Sequence, residues 1–156
     1  MYIDTPELRH ISPTLSGQAL ISVWTMPLEE VMADKVEGML RRGTANTRYK
    51  DYWDISRLAE TQDFAGDRLE STLQATCAYY GTLMTVTGDV FSSMAFLQDT
   101  IQMAHWQQYL TQVQRTAMVL PTFTEVITLI RKLYVPVLQG TASGQTWSHQ
   151  VQQWIP

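Results

Sequence analysis

The chain has 156 residues, 45% hydrophobic and 10% aromatic, enough apolar material for one domain with a real core and too much for intrinsic disorder. A formal net charge of -4 argues against a whole-protein electrostatic grip on nucleic acid, leaving room only for a local basic cluster. No run of about 18 apolar residues is present, which excludes a membrane-spanning helix, and Cys77 has no second cysteine for a disulfide or a thiolate metal site.

In chain order, residues 1–25 stand apart. Pro6, Pro13 and Gly17 break any helix there, and "ALISVW" (19–24) reads as one short strand with no partner nearby. "MYIDTPELRH" lacks a basic region followed by an apolar stretch, so it is no secretory signal, and a cytoplasmic setting is expected. The first helix is predicted from Met26, with Pro27 at its first position, Glu29 and Glu30 in the opening turn, and Arg41 and Arg42 before a Gly43 stop. A second helix is predicted over 48–60 and a third over 67–80, followed by irregular chain with a weak strand candidate near Leu83–Val86. A fourth is predicted over 96–115. A fifth, capped by Thr122 and Glu125 in "TFTE", should run to Tyr134 before Pro136. The tail reads as a loop with a short final helix held by Trp147 and Trp154. The expected fold is mainly α, a bundle of about five helices behind an extended or strand-like N-terminal segment.

Helical periodicity singles out the first two helices. At 100° per residue Leu28, Val31, Met32, Val36, Met39 and Leu40 form one apolar stripe, with Lys35 near its middle and Arg42 close to the same line. On the second helix Tyr52, Ile55, Leu58 and Ala59 form the buried face, with Asp51 inside it and Asp54 at its edge. A lysine and an aspartate at core-facing positions must find partners, because isolated buried charge is costly. Two readings follow. Lys35 and Asp51 pin the helices as a structural ion pair, or the stripe borders a cleft where Lys35, Arg42, Arg48 and Lys50 meet a phosphate-bearing ligand.

Other candidates are weaker. His10, His105 and His149 lie in separate segments without zinc-like spacing, so no metal site is expected. His105 reads as a partly buried, hydrogen-bonded histidine on a helix whose apolar face includes Ile101, Met103 and Tyr109. Trp106, Trp147 and Trp154 read as packing residues, and Trp53 alone as a ligand-stacking candidate.

The run "MPLEEVMADKVEGMLRRGTANTRYKDYWDISRLAE" resembles the AbiEii/AbiGii nucleotidyltransferase toxin family, in its pattern E-x-x-x-A-E-K on one helix and N-S-R-x-K-D-x-x-D-L on the next. Weaker similarity continues through "LQATCAYYGT", "HWQQYL" and "LYVPVLQG…W…W". The resemblance implies that residues 26–156 are the helical C-terminal domain of such an enzyme, with 1–25 the last strand of a polymerase-β-type sheet lying elsewhere. It implies Lys35 and Asp51 as catalytic, and Lys35, Lys50 and Asp54 as nucleotide-binding, to which the cleft reading adds Arg42 and Arg48. A nucleoside triphosphate and magnesium would act once that N-terminal half is supplied. Implied partners are that half, or a second copy through the N-terminal strand, a cognate antitoxin, and an RNA or protein acceptor. The chain departs from the pattern in three places: it holds no D-x-D, Asp34 replaces a glutamate, and Tyr79 and Tyr80 stand where basic residues are expected. The alternative is a non-catalytic helical interaction module or remnant with a structural Lys35–Asp51 pair.

Overall fold

The computed structural model describes residues 6–11, 21–85, 89–113 and 120–156. Strands β1 (Glu7–Ile11) and β2 (Ile21–Thr25) pair antiparallel, from Glu7 opposite Thr25 to Ile11 opposite Ile21. The expectation of a lone strand is thereby corrected. One edge of β2 finds its backbone partners within the chain, through a segment that Pro6 had made look like coil. Ala19 and Leu20 of the predicted strand, and Val86 of the weaker candidate, lie outside the described residues.

Helix α1 (Leu28–Arg42) starts after Pro27, whose carbonyl accepts from Glu30 and Val31. Acidic residues in its first turn and arginines in its last complement the helix dipole. Gly43, at φ 53°, ends it in a conformation that favours glycine. A short 3-10 turn (Gly43–Ala45) and buried Asn46 lead into α2 (Tyr49–Thr61). Met32, Val36 and Met39 on α1, and Tyr52, Ile55 and Ala59 on α2, are fully buried, as the periodicity predicts. After a two-residue strand, β3 (Phe64–Ala65), comes α3 (Gly66–Tyr80), which packs along α1 through Leu69, Leu73 and Cys77.

Two single-turn helices follow, α4 (Asp89–Ser92) and α5 (Met94–Leu97), then α6 (Thr100–Val113). The predicted fourth helix is interrupted because Asp99 Oδ1 accepts from the amides of Ile101 and Gln102 and so begins a new helix. Gln114 and Arg115 lie outside the described residues. The buried face of α6 is Gln102, Trp106 and Leu110, whereas Ile101 and Met103 are exposed. That corrects the face assigned by hydrophobicity, because a polar residue, Gln102, takes a buried position.

Helix α7 (Phe123–Leu138) runs through the centre of the molecule behind the predicted capping box of Thr122 and Glu125. It continues past Pro136, contrary to expectation. Proline cannot donate to the Lys132 carbonyl one turn back, and the Trp154 indole N–H supplies that bond at 3.2 Å. The tail forms strands β4 (Thr146–Ser148) and β5 (Gln153–Ile155) rather than a helix. They extend an antiparallel sheet in the order β3-β4-β5, with Trp147 between Phe64 and Trp154. Trp147 is fully buried and donates to the Ala59 carbonyl at 2.8 Å, joining this sheet to the end of α2. Where α3 starts, a Cβ on Gly66 would stand 1.9 Å from the Ala142 carbonyl oxygen, so only glycine fits.

Candidate functional site

The site begins with the tight link between α1 and α2. Gly43 turns the chain, and the buried Asn46 side chain accepts from the Arg48 amide at 3.3 Å, which sets the start of α2. The turn brings Lys35 from the middle of α1 against the first two turns of α2. Its ammonium donates to Asp51 Oδ1 at 2.8 Å and to Asp54 Oδ2 at 2.9 Å. Lys50 donates to the same Asp54 oxygen at 2.5 Å, and Arg48 Nη1 lies 3.8 Å from Asp51 Oδ2. Three cations thus share two carboxylates.

The cations differ in exposure. The Lys35 side chain is 17% exposed, while Arg48 and Lys50 are 63% and 72% exposed. Burial alone would lower the Lys35 pKa, yet its bonds to Asp51 and Asp54 win and hold it above the ordinary lysine value. Burial likewise works to raise Asp54, and the hydrogen bonds from Lys50 and Lys35 outweigh it and hold the carboxyl below the usual range. Arg42 is not brought to this cluster. Its guanidinium folds back onto the Gly38 carbonyl at 3.3 Å, in the space a side chain at Gly38 would need.

A cleft of about 560 Å³ opens beside the cluster, lined on the α2 side by Arg48, Lys50 and Asp51 and on the α6 side by His105, Gln108, Tyr109 and Gln112. The α6 wall escaped the sequence reading, although its polar residues recur at the helical intervals 105, 108 and 112. His105 is exposed rather than partly buried, and is hydrogen-bonded as expected, with Nδ1 3.2 Å from the Tyr49 hydroxyl. Burial raises the Tyr109 hydroxyl, and the charge of Asp54 adds to this, so the α6 wall senses the carboxylates. Trp53 is half-buried, with its ring 6.2 Å from that of Trp106 and the Arg57 guanidinium 5.9 Å from its centroid, so both neighbours compete with any ligand for it.

A model of the nucleotidyl transferase AbiEii toxin of type IV toxin–antitoxin systems matches residues 1–128. The chain belongs to this family. The AbiEii match takes in the β1–β2 hairpin, the Lys35 helix, the Lys50–Asp51 helix and the α6 wall; the "LYVPVLQG…W…W" stretch follows it. No curated protein and no solved structure matches the chain.

The magnesium that the resemblance implies does not fit the carboxylates seen here. Asp51 and Asp54 are both bound to cationic side chains. Among the described residues no group of three or more His, Cys, Asp or Glu side chains could hold a metal ion. No helix among them is long and apolar enough to cross a membrane.

Proposed function

We propose that the α1–α2 site binds the phosphates of a nucleoside triphosphate for nucleotidyl transfer to an acceptor hydroxyl on RNA or protein. The observation that carries this reading is the ammonium of Lys35, held between Asp51 and Asp54, with Asp51, Arg48 and Lys50 lining the cleft beside it. Phosphoryl chemistry asks a protein mainly for positioned positive charge, and here carboxylates fix the lysine while the two exposed cations face solvent. In this reading Lys35 and Asp51 are the catalytic pair, and Lys50, Arg48 and Asp54 complete the phosphate site. Arg42 would join only by leaving Gly38. Magnesium would come with the carboxylates of a separately supplied N-terminal half, with residues 1–25 belonging to the sheet side of the enzyme and 26–156 to its helical side. An antitoxin is the expected protein partner, in a cytoplasmic setting.

A second reading is favoured by one observation: two of the three N–H donors of the Lys35 ammonium are already taken by protein carboxylates, and little of the side chain is exposed. The cluster would then only fasten α1 to α2, in a non-catalytic helical module. Calorimetric titration of the chain with ATP, GTP, CTP and UTP, with and without magnesium, separates the two. Nucleotide binding that falls at least tenfold in Lys35→Ala and Asp51→Asn, with circular dichroism unchanged, supports the phosphate site. No binding by the wild type, with Lys35→Ala only lowering the melting temperature, establishes the fastener.

A further inference from the structure

A hydrogen-bond chain whose direction is fixed from one end leads to the cleft. The Thr44 backbone carbonyl can only accept, so the Gln102 atom 2.9 Å from it is the amide nitrogen. Gln102 Oε1 therefore faces the Tyr49 hydroxyl at 2.8 Å, and an amide oxygen can only accept, so Tyr49 commits its single proton there. Nothing remains for the Tyr49 oxygen to donate to His105 Nδ1, 3.2 Å away; Nδ1 must carry the hydrogen of that bond. In a neutral imidazole this leaves Nε2 as the acceptor. The chain starts at backbone, passes through buried Gln102 and Tyr49, and ends on an exposed ring that lines the cleft.

We propose that His105 is a ligand-contacting residue, held as the Nδ1–H tautomer so that Nε2 accepts a hydrogen bond from the nucleoside portion of a nucleotide in the cleft. This rests on the phosphate reading of the α1–α2 site and assigns the other half of the ligand. The walls of the cleft differ in charge: Arg48 and Lys50 beside Asp51 on α2, and His105, Gln108, Tyr109 and Gln112, with no lysine, arginine or carboxylate among them, on α6. A lone pair on Nε2 repels phosphate oxygens, which only accept, and attracts the hydroxyl and amino donors of a ribose or base. The α6 wall therefore turns a nucleotide so that its phosphates meet α2. A cleft of about 560 Å³ falls within the usual range for small-molecule sites.

Nitrogen-15 NMR of the histidine-labelled full chain at neutral pH reads the tautomer directly. His105 should show a protonated Nδ1 and an unprotonated Nε2, and Tyr49→Phe, which removes the acceptor, should release a population of the Nε2–H form. Titration with CTP, ATP and inorganic triphosphate then divides the ligand. His105→Ala should lose about tenfold in affinity for a nucleoside triphosphate, the scale of one hydrogen bond, and bind inorganic triphosphate within about twofold of wild type. Tyr49→Phe should show the same selectivity with a smaller loss. An Nε2–H tautomer in the wild type, or nucleotide affinities unchanged in His105→Ala, overturns this assignment and leaves the phosphate site standing. Failure of the wild type to bind either kind of probe overturns the phosphate site and this assignment together.

Discussion

At the residue scale, Lys35 is bound to two carboxylates that would face each other without it. Removing it leaves Asp51 with only Arg48 at 3.8 Å and Asp54 with only the exposed Lys50, so Lys35→Ala should cost about 1–3 kcal/mol, between the values for exposed and fully buried pairs. The pH dependence follows from the shifts. The folded pKa of Asp54 is depressed below 3.8, so its contribution is complete above that value and lost as pH falls through the folded pKa. The folded pKa of Lys35 is raised above 10.5, so its contribution is complete below that value and lost only as pH rises through the folded pKa. The difference in melting temperature between wild type and Lys35→Ala should thus be flat from pH 5 to 9 and shrink in acid below pH 4; a difference unchanged at pH 3 would exclude the pairing. The Lys35–Asp51 pairing was legible in the sequence because angle along a helix is set by residue number alone. Arg42 was misplaced by the same rule, which fixes where a side chain leaves the helix and not where it ends. The Tyr49–Gln102–His105 chain was illegible, since Tyr49 lies more than 50 residues from both of its partners.

At the scale of elements, α7 depends on its two ends. Thr122→Ala removes the side-chain half of the capping box and should cost about 1 kcal/mol, measured by urea denaturation. At the other end Trp154→Phe keeps an aromatic ring, smaller than the indole, and loses the N–H shared by the Leu133 carbonyl and the Lys132 carbonyl freed by Pro136. A loss of about 1 kcal/mol is expected, and restoring the backbone donor with Pro136→Ala should make the Trp154→Phe change cheaper. Where α3 begins, Gly66→Ala should destabilise by more than 2 kcal/mol, because backbone on both sides must move. The long helices were legible from their caps, breakers and periodicity. The β3-β4-β5 sheet was not, for strands of two or three residues give no alternation to read, and a Trp–Trp pair three places from a glycine looks like any packed loop.

For the whole molecule, the match to the AbiEii family ends inside α7, while the core does not. Ile130, Leu133, Tyr134, Val137 and Trp147 are all fully buried beyond residue 128. A chain ended at residue 128 should therefore lose cooperative thermal unfolding and near-ultraviolet circular dichroism, although it retains every charged residue of the candidate site. A sharp thermal transition from such a chain would show that the later residues are dispensable to the core. The bond from Trp147 to the Ala59 carbonyl carries a further consequence, for it joins residues 88 apart. At about 5–20 residues/s of synthesis, the end of α2 waits roughly 4–18 s for its partner. During that interval α1 and α2 can meet locally and form the Lys35 cluster, while the corner where α2 hands over to α3 stays open. The nascent chain thus carries its charged residues long before the packing that holds them rigid.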